Sequence, residues 1–291
     1  MDKTNDIIGA CYPGGYIRQC DCADLMDSMI ERGEKVDLIV TSPPYDDLRT
    51  YGDVAIWNFD KFMDRALKMG DVLNDGGVLV WVVGDATVKG GETGTSFRQA
   101  LFFMDAVGLK LHDTMIYEKN SSTFPAKRTG NRYTQIFEYM FVFVKGKKPR
   151  VANLICDKAN KWAGHTSWGD QIIYEVDGTR SNLGKTKPVP DFSPRTNIWK
   201  YTVGFNGRKG HPAQFPDQLA LDHILTWTNE GDTVFDPFLG SGTTAIAAIR
   251  SGRRFVGSET NPEYFEICKK YISAEYDKMK TDSDAHTVKN C

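Results

Sequence analysis

Residues 232–244 read DTVFDPFLGSGTT, and they predict a strand, a glycine-rich turn and a helix in that order. Gly240 and Gly242 let the backbone turn tightly and approach a ligand closely. Thr243 or Thr244 can begin a helix whose first N–H groups stay exposed. No lysine follows the glycines, so the pattern of a phosphate-binding P-loop is not met. The stretch therefore predicts a nucleotide-like ligand at the end of a strand in an α/β fold.

A second short strand, RFVGS at residues 254–258, leads directly into Glu259. This acid follows the glycine-rich turn by about 20 residues, the distance at which doubly wound folds place a carboxylate on ribose hydroxyls. Glu259 is therefore the candidate ligand for a ribose. The alternative is a solvated charge that stabilises the start of a helix predicted from Pro262 to about Tyr276.

The apolar run VDLIV at residues 36–40 leads through a threonine into Ser42-Pro43-Pro44-Tyr45. The strand must end here because Pro44 lacks an N–H group and both proline rings fix φ. The Ser42 hydroxyl and a carbonyl of Ser42 or Pro43 can accept hydrogen bonds from one amino group, and the Tyr45 ring offers a stacking surface. The motif suits the exocyclic amine of a planar base. The alternative is an ordinary exit from strand to loop.

Helical and extended patterns alternate along the chain between these motifs. Apolar residues recur at helical spacing in 59–72, a turn is predicted at 74–77, and the continuous apolar strand 78–83 comes next. A helix over about 96–106 and a strand over 110–118 repeat the pattern. A strand that is apolar on both faces needs cover on both sides, which helices flanking a parallel sheet provide. The predicted class is therefore α/β, with a doubly wound, mostly parallel sheet.

Composition and cysteine spacing exclude several classes of protein. The chain has 291 residues, a net charge of −2 and 41% hydrophobic residues, which is ordinary for a soluble globular protein. No apolar stretch reaches the roughly 18 residues that span a bilayer, and the first residues lack the pattern of a signal peptide. The six cysteines show no paired metal-ligand spacing, so reduced thiols and no metal are expected. The sequence thus predicts a cytoplasmic protein. His223 lies on the apolar face of a helix predicted over 215–228, and it is expected to be a packed core or rim histidine rather than a ligand.

The α/β pattern fades between residues 119 and 209, apart from one strand predicted near 138–145. Cations are interleaved there with aromatic residues such as Trp162 and Trp168. This mixture suits phosphates and bases and predicts contact with nucleic acid, whereas the alternative for any single cluster is a set of solvated loop charges. The candidate DNA-binding residues are Arg49, Lys127, Arg128, Arg132, Lys147, Lys148 and Arg208.

Together the two motifs resemble those of the S-adenosylmethionine-dependent DNA amino-methyltransferases. Ser42-Pro43-Pro44-Tyr45 matches the catalytic tetrapeptide of that family, and residues 236–242 match its cofactor loop. The catalytic motif precedes the cofactor loop, which is the order found in the family's beta group. The resemblance covers most of the chain and implies a Rossmann-like methyltransferase fold.

The resemblance also implies which residues hold S-adenosylmethionine. A segment at 211–216 is similar to the one that packs on the methionine part of the cofactor, and Asp21 stands where the family has an acid near the adenine. Cys20 replaces the glycine that usually precedes this acid. The implied cofactor-binding residues are Asp21, His211, Pro212, Phe215, Asp236, Pro237, Phe238, Gly240, Ser241, Gly242, Thr243 and Glu259, and the implied catalytic residues are Ser42, Pro43, Pro44 and Tyr45.

The implied reaction is methyl transfer to the exocyclic amine of a base rotated out of double-stranded DNA. Serine at the first position of the tetrapeptide favours N4 of cytosine, with N6 of adenine as the alternative. A cognate restriction endonuclease is the protein partner that the family suggests. A methyltransferase for carbon five of cytosine would need a Pro-Cys pair, which the chain lacks. The residues leave open a methyltransferase that acts on glutamine or a small molecule, and also a catalytically silent nucleic-acid-binding module.

These observations divide the chain into four segments. Residues 7–118 are predicted to form the catalytic half of the methyltransferase domain, and residues 210–277 its cofactor-binding half. Residues 119–209 between them are the predicted target-recognition insertion. Residues 278–291 form a polar tail that we expect to be disordered.

Overall fold

The computed structural model describes residues 9–44, 57–120, 131–166, 172–182, 187–202 and 216–288. The chain divides into two compact units, a larger one of residues 1–153 and 197–291 and a smaller one of residues 154–196. Within the described ranges no helix has the length and apolar character needed to cross a membrane. The same residues contain no cluster of three or more His, Cys, Asp or Glu side chains that could hold a metal ion.

The elements of the larger unit follow the alternation predicted from the sequence. Its helices are α1 Cys22–Glu31, α2 Phe59–Val72, α3 Thr95–Asp105, α4 Asp217–Trp227, α5 Thr243–Arg250 and α6 Pro262–Val288. Its strands are β1 Gly9–Tyr12, β2 Gly15–Arg18, β3 Val36–Thr41, β4 Leu73–Val83, β5 Thr87–Val88, β6 Gly91–Glu92, β7 Lys110–Lys119, β8 Phe137–Val144, β13 Ile198–Tyr201, β14 Thr233–Asp236 and β15 Arg254–Ser258. The strands of the smaller unit are β9 Lys158–Ala159, β10 Ile172–Tyr174, β11 Arg180–Asn182 and β12 Phe192–Ser193.

Nine of the described strands form one sheet in the order β1-β2-β15-β14-β3-β4-β8-β7-β13. The five strands from β2 to β4 in this order run parallel to one another, and β1 runs antiparallel to β2. Strand β8 runs antiparallel between β4 and β7, and β13 is parallel to β7. The mostly parallel sheet confirms the predicted α/β doubly wound class. The pairing of β13 adds an edge strand that the sequence did not predict.

Helices cover both faces of the sheet. Leu79 and Trp81 of β4 belong to one buried cluster with residues of α1, α2 and α3. Val80 and Val82 alternate with them and so point to the opposite face, where they are also fully buried. On that face His223 of α4 contacts Met140 of β8, with Nε2 3.4 Å from Sδ. The continuous apolar strand is thus explained by burial on both sides.

His223 is a packed core residue, as predicted. Its side chain is completely buried, and Nδ1 accepts a hydrogen bond of 3.2 Å from the indole N–H of Trp227, one turn along α4. Burial lowers the pKa of His223 to about 3, so the ring is neutral over the physiological range.

The carboxyl ends of β3 and β14 meet at one edge of the sheet. In register, Val234 and Phe235 lie beside Leu38 and Ile39. Parallel strands bring the segments that follow them to the same edge, which in doubly wound folds is the ligand-binding edge. The two motifs singled out in the sequence, which are separated by almost 200 residues, therefore lie side by side.

Two boundaries differ from the prediction. The turn expected at 74–77 lies within β4, where Gly76 has φ +73° and its N–H donates to the carbonyl of Lys145, so the chain bends locally without leaving the sheet. Helix α6 does not end near Tyr276 but continues to Val288, so the tail predicted as disordered is helical up to that residue. Residues 277–288 contain neither glycine nor proline, and polarity alone does not end a helix.

The smaller unit is shorter than the predicted insertion of 119–209. Residues 110–119 and 137–144 belong to the main sheet, and the compact unit begins only at Leu154 and ends at Thr196. Inside it, β10 pairs with β11 and β12 pairs with β9, both antiparallel. Arg195 and Asp157 form an ion pair of 2.5 Å within the unit. Among the described residues of the unit, short strand pairs, turns and this ion pair provide the contacts.

Candidate cofactor and catalytic site

The glycine loop, residues 237–242, joins the end of β14 to the start of α5. Its backbone has φ +53° at Gly240 and φ +88° at Gly242, a region that residues with a Cβ atom rarely adopt. A Cβ atom at Gly242 would also lie 2.8 Å from Sγ of Cys268 on α6. Glycine at 242 is therefore required both for the left-handed start of α5 and for the close approach to α6.

The glycine loop is fixed to the neighbouring strand β15. The N–H of Leu239 donates to the carbonyl of Ser258 at 2.9 Å, and the Ser258 hydroxyl donates to the carbonyl of Pro237 at 2.8 Å. Gly257 leaves room for Leu239, because a Cβ atom there would lie 2.7 Å from a Leu239 methyl group. The loop is thus formed in advance of any ligand.

Asp236 accepts hydrogen bonds from both the glycine loop and β3, the strand that leads into Ser42. Its buried carboxylate accepts hydrogen bonds from the hydroxyl of Thr41 at 2.6 Å, the hydroxyl of Thr244 at 2.7 Å and the N–H of Phe238 at 3.1 Å. Burial raises the pKa of Asp236 to about 6, although these three hydrogen bonds oppose the shift. Both carboxylate oxygens accept hydrogen bonds within the protein, so Asp236 holds β3, the glycine loop and the start of α5 in position.

Glu259, the predicted ribose ligand, lies against the glycine loop. One carboxylate oxygen accepts from the N–H of Gly240 at 2.9 Å, and the other accepts from the N–H of Asn261 at 2.8 Å. Burial raises the pKa of Glu259, while these backbone hydrogen bonds oppose the rise. Each carboxylate oxygen has a second lone pair, so the side chain can also accept from two hydroxyl groups of a ribose.

Ser241 carries an unused polar group inside the glycine loop. The residue is 2% exposed, and its buried hydroxyl has no hydrogen-bond partner within the described residues. A buried hydroxyl without a partner costs free energy, which a polar ligand group at the loop would recover. Thr243, the next residue but one, begins α5, and the first N–H groups of a helix favour ligands that accept hydrogen bonds.

Phe238 of the glycine loop lies in an aromatic cluster. Its ring packs edge to face with Trp57 at 5.2 Å and with Trp81 at 6.3 Å between centroids. The buried indole N–H of Trp57 has no partner within the described part of the chain. Sequence reasoning missed Trp57, because it stands alone before α2 and meets the loop only through the fold.

Asp21 begins α1 as its N-cap. The carboxylate accepts from the N–H of Ala23 at 2.9 Å and pairs with Arg65 of α2 at 2.7 Å. Burial alone would raise the pKa of Asp21, but the Ala23 N–H and the Arg65 guanidinium lower it below its ordinary value. The Cys20-Asp21 pair thus forms an ordinary helix start in spite of the cysteine. Each carboxylate oxygen has more than one lone pair, so Asp21 can still accept a hydrogen bond from a ligand.

The proline shelf, Ser42–Pro44, directly follows Thr41 at the end of β3. Pro43 is buried, whereas Ser42 and Pro44 are half-buried at the edge of the sheet. The hydrogen bond from Thr41 to Asp236 places the shelf beside the glycine loop. The structure thus brings Ser42, Pro43 and Pro44 together with the loop.

Several predicted site residues lie outside the described residues. They are Tyr45 and Arg49 after the shelf, Lys127 and Arg128, and Arg208, His211, Pro212 and Phe215 before α4.

Of the remaining predicted DNA contacts, only Arg132 lies at the same edge of the sheet as the shelf. It precedes β8, whose start pairs with the end of β4, and it lies 3.6 Å from Glu92. Lys147 and Lys148 are exposed in the segment after β8. Val144, at the end of β8, pairs with Val78, five residues before the end of β4 at Val83. These two lysines therefore lie at the opposite edge from the shelf, and the structure does not bring them into the site.

Comparisons with known proteins agree with this arrangement. A family model described as DNA methylase matches residues 36–270, a range that contains both the shelf and the glycine loop. The chain is 48% identical over 243 residues to the orphan methyltransferase M.BamHII of Bacillus amyloliquefaciens, which covers 81% of this chain and 88% of that protein.

Two further similarities extend over most of the chain. The chain is 27% identical to the DNA adenine methyltransferase YhdJ of Escherichia coli, over 85% of this chain and 82% of that protein. Its fold is similar to the crystal structure of the M1.HpyAVI–SAM complex, with a TM-score of 0.59, 25% identity, and coverage of 87% of this chain and 97% of the other.

Proposed function

This chain belongs to the DNA N4/N6 methyltransferase family, and from that membership we propose that it transfers a methyl group from S-adenosylmethionine to an exocyclic base amine in double-stranded DNA. The observation that carries the proposal is the hydrogen bond of 2.6 Å between Thr41 and Asp236. It holds the last residue of the catalytic strand against the strand that enters the glycine loop. One sheet edge thus presents an amine-binding shelf beside a nucleoside-binding loop.

The glycine loop and its surroundings suit S-adenosylmethionine. Glu259 offers a half-buried carboxylate for the ribose hydroxyls, and the unpartnered Ser241 hydroxyl and the start of α5 offer donors for polar groups of the cofactor. M1.HpyAVI, to which the fold is similar, has been solved with SAM. The cofactor supplies a methyl group on a positively charged sulfur.

The shelf accounts for how an unreactive amine is prepared. The lone pair of a base amine is delocalised into the ring, so the nitrogen must become more tetrahedral as it accepts the methyl group, and it must then lose a proton. The Ser42 hydroxyl and a carbonyl of Ser42 or Pro43 accept from the amine N–H groups and hold them in position, because the prolines fix the backbone. Once it carries the new methyl group, the nitrogen is positively charged and therefore acidic. Its proton leaves to solvent after the methyl group has been transferred.

N4 of cytosine is the base amine that we propose, because serine stands at the first position of Ser42-Pro43-Pro44-Tyr45. N6 of adenine is the second candidate, and the similarity to a relative named as a DNA adenine methyltransferase favours it. The two candidates leave different products in DNA, so a single product analysis separates them.

We propose that the smaller unit, residues 154–196, belongs to the target-recognition segment predicted at 119–209. Trp162 is half exposed in this unit, with the ammonium group of Lys161 5.6 Å from the centre of its ring. Exposed aromatic rings with nearby cations suit bases and phosphates. Exchange of residues 154–196 for the segment of a relative should change the methylated sequence, and an unchanged sequence would move recognition elsewhere.

Two further expectations follow from DNA as substrate. The relatives are bacterial, and bacterial DNA lies in the cytoplasm, so we expect the reaction to occur there. A cognate restriction endonuclease is an expected partner only if its gene accompanies this one, since the relative M.BamHII is named an orphan methyltransferase.

Mass spectrometry of nucleosides tests the proposal. Unmethylated DNA is incubated with the protein and S-adenosylmethionine, digested and compared with a reaction that lacks cofactor. We expect N4-methyldeoxycytidine. N6-methyldeoxyadenosine would establish the second candidate, and DNA binding without either product would favour a silent binding module.

A further inference from the structure

We propose that Gln99 recognises the target base, by donating a hydrogen bond from its side-chain NH₂ group to the ring nitrogen next to the exocyclic amine. That acceptor is N3 in cytosine and N1 in adenine. The inference rests on the proposed function and adds to it a residue that selects the base. It follows from the position, orientation and lack of a partner of one buried amide.

Gln99 lines a cleft that adjoins the proline shelf. The cleft is formed by Pro44 and by the segment after β4 together with the first turns of α3, and its lining includes Pro44, Gly84, Ala86, Thr93, Thr95 and Gln99. Thr41, which precedes the shelf, pairs in register with Trp81 of β4. Any group that Ser42 holds by its amine therefore has this cleft as a neighbour.

The orientation of the Gln99 amide is fixed by a hydrogen bond from Trp81. Its carbonyl oxygen accepts a hydrogen bond of 2.9 Å from the indole N–H of Trp81, which is itself completely buried and packed against the ring of Phe103 at 5.2 Å. A flipped amide would set its NH₂ group against the indole N–H, donor against donor. The NH₂ group must therefore point away from Trp81.

The NH₂ group of Gln99 donates to no group of the described residues. The residue is only 2% exposed, but its nitrogen is not among the fully buried atoms that lack a partner, so the exposed part of the side chain includes the NH₂ group. A donor that is oriented by a buried neighbour and lines a cleft beside the shelf is suited to a ligand acceptor.

The wall of the cleft is held rigidly by Asp85. Its buried carboxylate accepts from the hydroxyl of Thr93 at 3.2 Å, from the N–H of Ser96 at 3.0 Å and from the Ser96 hydroxyl. Gly94, at the N-cap position of α3, has no side chain to cap the helix, so Asp85 supplies the cap from the end of β4. The start of α3, and Gln99 with it, is thereby fixed relative to β4.

The chemistry of the bases explains why a donor belongs here. In cytosine and adenine the ring nitrogen beside the amine has a free lone pair, whereas the corresponding nitrogen of thymine or guanine carries a hydrogen. A fixed NH₂ group can therefore donate a hydrogen bond to cytosine or adenine. Opposite thymine or guanine it would face an N–H group, donor against donor. Gln99 does not distinguish cytosine from adenine, so the inference holds for either product.

The first test is Gln99→Glu, which keeps an oxygen acceptor for Trp81 and replaces the NH₂ group by a carboxylate oxygen. Relative to wild type at pH 8, we expect kcat/KM for DNA methylation to fall by at least about tenfold. The dissociation constant for S-adenosylmethionine should stay within about twofold, because none of the residues that line the cleft is a predicted cofactor-binding residue. Towards pH 6 the loss relative to wild type should shrink, since a protonated glutamic acid can donate again. A purely structural role would give no such pH dependence.

The second test removes the acceptor from the base. Wild type and Gln99→Leu are compared on duplexes that carry cytosine or 3-deazacytosine at the modified position, or adenine and 1-deazaadenine if adenine is the target. The deaza base should slow the wild type about tenfold more than it slows Gln99→Leu, because only the wild type loses a hydrogen bond. Leu101→Gln on the same helix, where Leu101 is 54% exposed, is the control and should behave as wild type.

Equal slowing of wild type and Gln99→Leu by the deaza base would overturn the inference while leaving the proposed function intact. Unchanged kcat/KM in Gln99→Glu at every pH would overturn it as well, and this variant keeps the Trp81 hydrogen bond if Gln99→Leu fails to fold. If the wild type transfers no methyl group to DNA at all, the proposed function and the inference fail together.

Discussion

The hydroxyl of Thr41 donates a hydrogen bond of 2.6 Å to the carboxylate of Asp236, a residue 195 positions further along the chain. Both residues are buried, and each stands at the end of a strand that leads into a functional segment. Their contact fixes the proline shelf and the glycine loop relative to each other. The distance between an amine on the shelf and a cofactor on the loop therefore depends on this pair.

Thr41→Val removes the hydroxyl while keeping the shape of the side chain. We expect the free energy of unfolding to fall by about 1–3 kcal/mol, because a buried carboxylate loses a donor. Methyl transfer should fall further than stability alone explains, since the shelf is released from the loop. Urea unfolding and single-turnover methylation measure the two effects, and Thr87→Val, at an exposed threonine of β5, is the matched control. A variant with wild-type stability and rate would show that the contact does not position the site.

The raised pKa of Asp236 predicts a pH dependence of stability. The carboxyl has an ordinary pKa of 3.8 unfolded and about 6 folded, so between these values the native state binds more protons than the unfolded state. Its stabilising contribution is present below about pH 4 and is lost as the pH rises through 6. Asp236→Asn cannot titrate. The stability of Asp236→Asn relative to wild type should therefore increase by roughly 2–3 kcal/mol from pH 4 to pH 7, and a constant difference in chemical denaturation over this range would refute the shifted pKa.

Glu259→Ala should weaken binding of S-adenosylmethionine at least about thirtyfold, since two hydrogen bonds from ribose hydroxyls to a charged acceptor contribute on the order of 2–4 kcal/mol. The variant also frees the N–H groups of Gly240 and Asn261, which loosens the glycine loop. Calorimetric titration measures the affinity. Glu263→Gln, at an exposed position in the first turn of α6, changes a nearby charge without touching the loop and should bind normally. An unchanged dissociation constant in Glu259→Ala would remove this residue from the cofactor site.

Lys147 and Lys148 lie at the edge of the sheet opposite the shelf, so their replacement should not affect DNA binding. We expect the double variant Lys147→Gln with Lys148→Gln to bind DNA within about twofold of wild type, with an unchanged salt dependence. Lys158→Gln with Lys161→Gln, in the smaller unit, should make the negative slope of log K against log salt shallower by about 1 to 2. The opposite result would mean that DNA contacts the edge of the sheet where Lys147 and Lys148 lie.

The sequence predicted the parts of this protein whose signals are local. The strand, glycine loop and helix at 232–250 and the strand that leads into Ser42 were found because β-branched runs, glycines and prolines each constrain the backbone directly. The position of Glu259 beside the glycine loop could be inferred because one helix and one strand set its distance from the loop, whereas its contact with a ribose stays a prediction. The predicted α/β class is confirmed by the sheet.

Features that depend on contacts between distant segments were not predictable in this way. Trp57 and Gln99 belong to no local sequence pattern. Trp57 is placed beside the glycine loop by its contact with Phe238, and Gln99 is oriented by its hydrogen bond with Trp81. Strand β13 joins the sheet beside β7 after a separate unit has intervened. The length of α6 was underestimated because a polar composition was taken to indicate disorder although nothing in it ends a helix.

Transfer of an isotopically labelled methyl group from S-adenosylmethionine to DNA, measured side by side for wild type and Ser42→Ala, tests the central claim most directly. We predict transfer by the wild type and a loss of about a hundredfold or more in the variant, because an oriented acceptor for the amine is removed. Cofactor affinity, measured on the same preparations, should stay within a few fold, since the proposed role of Ser42 is to hold the base and not the cofactor. Transfer by Ser42→Ala at the wild-type rate would contradict the account.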